Sequence, residues 1–174
     1  MKKAICLLMA LSLLCACAHA LAGAETAALG KPFQDFTVTT IDGEEFTLSK
    51  ALAQYEAVYI NLFATWCPPC AYEFPAMQEV YEEYRDRVAV IAISVEETDS
   101  VKKLADYRAS KGLTLPMASA GSDWIIRYTQ LEAIPMSLLV DRSGTLVFQH
   151  VGMISDPADF RSMFDAALPA AAGD

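Results

Sequence analysis

The stretch Ala57 to Ala64 reads Ala-Val-Tyr-Ile-Asn-Leu-Phe-Ala and leads through Thr65 into Trp66-Cys67-Pro68-Pro69-Cys70. An apolar run whose one polar member is Asn61 has the pattern of a strand covered on both faces, which demands a layer of chain above it and another below. After Cys67 the period changes. Phe74, Met77, Val80, Tyr81 and Tyr84 recur at helical spacing, predicting a helix from Cys67 to about Tyr84. With Cys67 as N-cap, Pro68 and Pro69 fill the first two helical positions, where a backbone N–H has no intrahelical partner to lose. A buried strand thus passes into a helix through two cysteines separated by two prolines.

The rest of the chain fits round this unit. Residues 36–40 and 45–48 predict a β-hairpin turning at Asp42-Gly43, after which Ser49 is expected to cap a short helix to about Gln54. Residues 88–95 read as a second buried strand. Beyond it the pattern predicts a helix over 100–110, a short strand at 114–118, a short helix over 123–128, strands at 137–141 and 145–150 around Arg142-Ser143-Gly144, and a helix over 157–168. This order predicts an α/β fold, a layered sandwich with a mixed central sheet flanked by helices.

Residues 1–22 differ from everything after them: Lys2 and Lys3, an apolar run from Ala4 to Ala18 broken only by Ser12, then small residues. That order predicts a signal peptide, since a membrane-spanning helix needs about 20 apolar residues and this run is shorter. Ala18-His19-Ala20 fits the small-x-small rule for release of a soluble product and is the preferred cut. Leu14-Cys15-Ala16-Cys17 resembles the lipobox of bacterial lipoproteins, in which Cys17 would become the lipidated N-terminus and supply a lipid anchor. The cysteine at Cys15 counts against that alternative. The expected organisation is a signal peptide at 1–22, a linker at 23–31, one domain at 32–169 and a tail at 170–174.

Three of the five cysteines, Cys6, Cys15 and Cys17, fall in the leader, so the exported domain keeps Cys67 and Cys70. Closing so short a loop stabilises a fold little, which makes the pair a poor staple and a good redox couple in a compartment where disulfides persist. A net charge of −9, which becomes −11 once Lys2 and Lys3 leave with the signal, argues against nucleic acid as a partner.

At the helix N-cap, Cys67 would sit at the positive end of the macrodipole, where a thiolate is stabilised. Cys70, one turn on, is placed to attack a mixed disulfide on Cys67. Because neither proline supplies an N–H, the amide of Cys70 is left as the main backbone donor to the sulfur, which predicts mild activation and a reducing pair. A zinc site needs four ligands as a rule, and besides carboxylates the exported chain offers only these cysteines and His150, a residue expected at the surface; no metal is expected. Haem attachment needs a histidine after the second cysteine, where Ala71 stands. No cofactor is expected.

These residues resemble the thioredoxin superfamily, and more narrowly the TlpA/ResA/DsbE-like group of exported disulfide reductases, over about residues 30–168. The likeness rests on Asn61 through Cys70, on Glu73-Phe74-Pro75, and on Ile134-Pro135 leading into Leu138-Leu139-Val140-Asp141 and Gly144. It implies a thioredoxin-like three-layer sandwich with an N-terminal β-hairpin and a central insertion at about 96–121. Pro75 matches the proline that kinks the active-site helix. Pro135 matches a cis-proline facing the dithiol, with Ile134 offering backbone hydrogen bonds to an extended substrate. Trp66 would pack beside the dithiol, the plain alternative being an ordinary core aromatic. The buried acid of cytoplasmic thioredoxin is Asn61 here, which cannot take a proton. Glu73 stands where ResA-like proteins carry a glutamate near the dithiol. One turn past Cys70, its carboxylate would raise thiol pKa and relay a proton to or from that cysteine. Otherwise Glu73 is a solvated helix glutamate.

The expected function is an exported protein-disulfide reductase, with Cys67, Cys70 and Glu73 catalytic and Trp66, Ile134 and Pro135 at the substrate. The resemblance implies cysteine-containing clients, apocytochrome c among them, and a membrane thiol as electron donor, in the periplasm or on the outside face of the cytoplasmic membrane. Two other readings stay open. One is a thiol peroxidase of the peroxiredoxin type, although its Pro-x-x-x-Thr-x-x-Cys arrangement is absent around Cys67. The other is a non-catalytic binding module with a structural disulfide.

Overall fold

The computed structural model describes residues 27–120, 129, 131 and 133–168. The expected signal peptide with Cys17, the expected helix at 123–128 and the tail at 170–174 lie outside them. No helix among the described residues is long and apolar enough to cross a membrane.

β1 (Thr37–Thr39) and β2 (Glu45–Thr47) form the expected antiparallel hairpin, whose turn uses Gly43 at φ +84°, a conformation that costs glycine little. The helix after it, α1 (Leu48–Leu52), starts one residue before Ser49, and Ser49 does not cap it. Its N-cap Thr47 makes no side-chain capping bond. Instead Asp35, fourteen residues upstream of Ser49, accepts from the Ser49 N–H at 2.9 Å and its hydroxyl at 2.6 Å. A first-turn N–H is therefore satisfied by a carboxylate from outside the helix.

β3 (Ala57–Phe63) is the centre of a five-stranded sheet in the order β5-β4-β3-β6-β7. β4 (Val88–Ser94) runs parallel to it, reached through α2 (Pro68–Tyr84), and β6 (Met136–Asp141) pairs antiparallel on its other side. The edges are β5 (Met117–Ser119) and β7 (Leu146–Val151). β5 starts later than the expected residue 114 because Pro116 has no donor for a ladder and the Thr114 N–H is taken by the Gln78 side chain at 2.8 Å.

Every residue of β3 is buried, and its alternation divides them between two cores. Ala57, Tyr59 and Phe63 share one core with Phe74, Met77 and Val80 of α2, Leu104 of α3 (Val101–Ser110), and Phe160 and Phe164 of α4 (Pro157–Ala167). Val58, Ile60 and Leu62 face the other, with Phe33, Phe36, Leu48 and Leu52. The layers above and below the central strand are therefore both present. Asn61, in phase with Tyr59 and Phe63, projects its amide into the α2 side of the sheet, under the helix that carries the cysteines.

Candidate active site

Cys67 is the N-cap of α2 in extended backbone, with Pro68 and Pro69 opening the helix as its sequence requires. Cys67 and Cys70 are disulfide-bonded, their Cα atoms 5.3 Å apart, and the Cys70 N–H donates to Cys67 Sγ at 3.2 Å. Both are almost fully covered, at 3% and 1% exposure, while the prolines between them face solvent. One amide thus reaches the first sulfur from a helix terminus that would otherwise present several.

Glu73 is not a solvated helix glutamate: it is fully buried on the inward face of α2, in line with Cys70, Phe74 and Met77. Its Oε1 accepts from Asn61 Nδ2 at 2.6 Å and its Oε2 from the Ile154 N–H at 2.8 Å. Burial pushes this carboxyl up to about 7 against the opposing pull of those two donors. Burial, reinforced by the charge of Glu73, likewise pushes the Tyr59 phenol up. The Tyr59 hydroxyl shares a hydrogen bond with Ser137 Oγ at 2.7 Å. Asn61 Oδ1 has no hydrogen-bond partner among the described residues.

On the other side of the Cys67 turn stands an acid that sequence reasoning missed. Asp99, at 0% exposure in the loop after β4, accepts at Oδ2 from the Thr65 N–H (2.9 Å) and the Ser94 hydroxyl (2.7 Å). Its Oδ1 takes the Thr65 hydroxyl at 2.6 Å and the Lys103 ammonium at 2.6 Å. Burial works against its charge, but Lys103, Thr65 and Ser94 together hold the carboxyl below the usual carboxylate range. Next to it, Glu96 Oε2 accepts from the Trp66 indole N–H at 2.8 Å while its Oε1 takes the N–H and hydroxyl of Thr98. The two residues immediately before Cys67 are thus both fastened from the segment 96–99. The available signal was weak, an acid just before the helix-capping Ser100.

The Ile134–Pro135 peptide bond is cis, and the pairing of Leu62 with Met136 brings it beside the end of β3, where the cysteine turn begins. Ile134 packs against the core that contains Cys67 and Cys70. Just after β7, the Gly152 N–H donates to the Pro135 carbonyl at 2.9 Å, two residues before Ile154 reaches Glu73. One short segment therefore braces both the proline turn and the buried acid, a link no local pattern announced. Trp66 is 62% exposed, so it is no core aromatic. Pro75 lies inside α2, leaving the Ala71 carbonyl without its helical donor. His150 is exposed, as expected.

The chain is similar to known proteins. The model of the AhpC/TSA family matches residues 29–149. The thiol-disulfide oxidoreductase ResA of Bacillus thuringiensis (strain Al Hakam) is 33% identical over 125 residues, 71% of this chain and 70% of that protein. The thioredoxin-like protein YneN of Bacillus subtilis (strain 168) is 30% identical over 127 residues, 72% of this chain and 73% of that protein. Among solved structures, a thiol:disulfide interchange protein of the thioredoxin family from Chlorobium tepidum TLS is similar with a TM-score of 0.68 at 29% identity, covering 83% of this chain and 100% of that one. The fold is thioredoxin-like, with the expected hairpin and mixed sheet.

Proposed function

The chain belongs to the AhpC/TSA family and is a thiol–disulfide oxidoreductase, and from that premise we propose that it works as a reductase of disulfides in client proteins. The Cys67 thiolate attacks a client disulfide, one client thiolate leaves, and a client–Cys67 mixed disulfide forms. Cys70 then attacks Cys67 Sγ, releasing the second client thiol and closing the intramolecular disulfide. A donor dithiol returns the two electrons and two protons, itself becoming a disulfide.

The observation that carries the direction is that, among the described residues, one amide donates to Cys67 Sγ, with Pro68 and Pro69 donating nothing. A strong oxidant stabilises its reduced form through a well-solvated thiolate; a pair with so few donors gives its electrons away more readily. Glu73, titrating near neutrality on the face of α2 it shares with Cys70, is suited to accept the Cys70 proton before the second step. Ile134, packed against the core that holds the dithiol and joined by a cis bond to Pro135, and the exposed Trp66 supply the surface for an extended client segment.

The basic, apolar and small regions of residues 1–22 support export, with Cys17 as the alternative lipid-anchored terminus. Clients are cysteine-containing proteins, apocytochrome c being the one the family resemblance points to, and a membrane thiol is the donor. Cys70→Ser removes the resolving thiol, so clients should accumulate covalently on Cys67 and be identified after purification under non-reducing conditions. Insulin reduction should vanish in the Cys67→Ala, Cys70→Ala double variant. A double variant that still reduces disulfides, or a Cys70→Ser protein that traps no client, contradicts the proposal. Peroxide consumption faster than disulfide reduction would favour the peroxidase reading.

A further inference from the structure

Asn61 is fully buried, and its Nδ2 donates to Glu73 Oε1 at 2.6 Å while also interacting with the Tyr59 phenol. Among the described residues its Oδ1 has no partner, a desolvation cost that the aliphatic residues elsewhere on β3 avoid. A half-turn about χ2 exchanges amide nitrogen and oxygen at nearly the same positions. Because one end of the amide bonds Glu73 and the other has no hydrogen-bond partner among the described residues, that rotation leaves the number of unpartnered amide atoms unchanged.

The two orientations suit different chemistry. A carboxylate only accepts, and Nδ2 serves it. A carboxylic acid has an O–H to donate, and the turned amide offers it Oδ1, to which the Tyr59 hydroxyl can donate as well. Among the described residues no cation pairs with Glu73 to hold it ionised. Of the groups around it, Tyr59 on β3 is ionisable, and the thiols of Cys67 and Cys70 become so once their disulfide is reduced. The segment after β7 contributes the backbone N–H of Ile154, and α4 turns Phe160 and Phe164 toward Tyr59. The proton on Glu73 is therefore what selects the amide orientation.

We propose that Asn61 is a positioning residue for proton transfer at Glu73, presenting its N–H to the carboxylate and, turned over, its carbonyl to the acid. When Cys70 gives its proton to Glu73, a new O–H forms beside Asn61 and finds an acceptor; when the proton returns, the N–H faces the carboxylate again. In each state the amide keeps its bond to Glu73, and one amide atom, Oδ1 or Nδ2, stays without a partner. The inference rests on the reading of Glu73 as the proton carrier.

Two variants separate the functions of the amide: Asn61→Leu removes donor and acceptor, and Asn61→Asp supplies an acceptor without the N–H. In full-length protein carrying 13C-labelled glutamate, both should raise the titration midpoint of the Glu73 carboxyl by about one pH unit or more, a tenfold loss of acidity. The pH profile of insulin reduction should move the same way, and Glu73→Gln should erase that step with either residue at position 61. Should Asn61→Leu prove misfolded, Asn61→Asp alone decides. An unchanged Glu73 midpoint in a folded Asn61 variant overturns the positioning role. A wild-type pH profile that Glu73→Gln leaves intact removes Glu73 as proton carrier instead, an outcome distinguishable because the carboxyl titration is read independently of turnover.

Discussion

Two carboxylates flank the turn from β3 into α2, both with no exposed surface, and they are held in opposite ways. Asp99 is met by two hydroxyls, a backbone N–H and the Lys103 ammonium, which together outweigh burial and keep it ionised. Glu73 is met by two neutral donors, and burial prevails, lifting it to about 7. Burial penalises a charge in both places, so depth does not separate them; donor number and one cation do. The first is a fixed clamp on the residue two before Cys67. The second can change its proton count at neutral pH.

Removing the clamp should have the largest effect. Asp99→Ala leaves the Thr65 N–H and the Thr65 and Ser94 hydroxyls without their acceptor and Lys103 without its partner, which should cost about 4 kcal/mol in denaturant unfolding. Because the Asp99 carboxyl is held low, its stabilisation is complete above the ordinary carboxylate range and fades as pH falls below it, so the acid limb of the stability curve should flatten in Asp99→Asn.

Glu73 should act in the opposite window. An acid that keeps its proton to about 7 when folded, but loses it near 4.5 when unfolded, costs stability as pH rises between those values. Over that span it should remove about 3 kcal/mol, a slope absent from Glu73→Gln when unfolding is followed at several pH values. A Glu73→Gln curve parallel to wild type would erase the contrast between the two acids.

The smallest effect belongs to the exposed neighbour of the clamp. Glu96→Gln should leave the denaturation midpoint unchanged, since the Glu96 contact with Trp66 is a surface interaction, yet alter Trp66 fluorescence and client-trapping rate. A large loss of stability would mean that the segment 96–99 holds the turn through Glu96 as well as Asp99.

What could be read in advance followed from short-range patterns. The run 57–63 stated its own burial on both faces, and Pro68 and Pro69 stated where α2 begins. The hairpin turn was legible in Asp42-Gly43 because only a few residues suit that backbone. Ser49 misled because hydroxyls before helices usually cap them; here the acceptor came from Asp35. Glu73 could be placed on the helix face of Cys70 by counting, but Ile154 meets it from 81 positions away and no periodicity encodes that. Asp99 was passed over for the same reason, its bonds to Thr65 spanning 34 positions.

By itself the sequence determined a strand covered on both faces, a helix opened by two prolines, and a dithiol at the junction whose first sulfur has one nearby amide. Those are consequences of local sterics, donor inventory and hydrophobic period, which act over a few residues. Only the tertiary structure decided which of two carboxylates would be held as an ion and which would keep its proton toward neutrality. That choice depends on how many donors, and whether a cation, the fold brings to a buried oxygen; among the described residues, folding brought Lys103 to Asp99 and two neutral donors to Glu73.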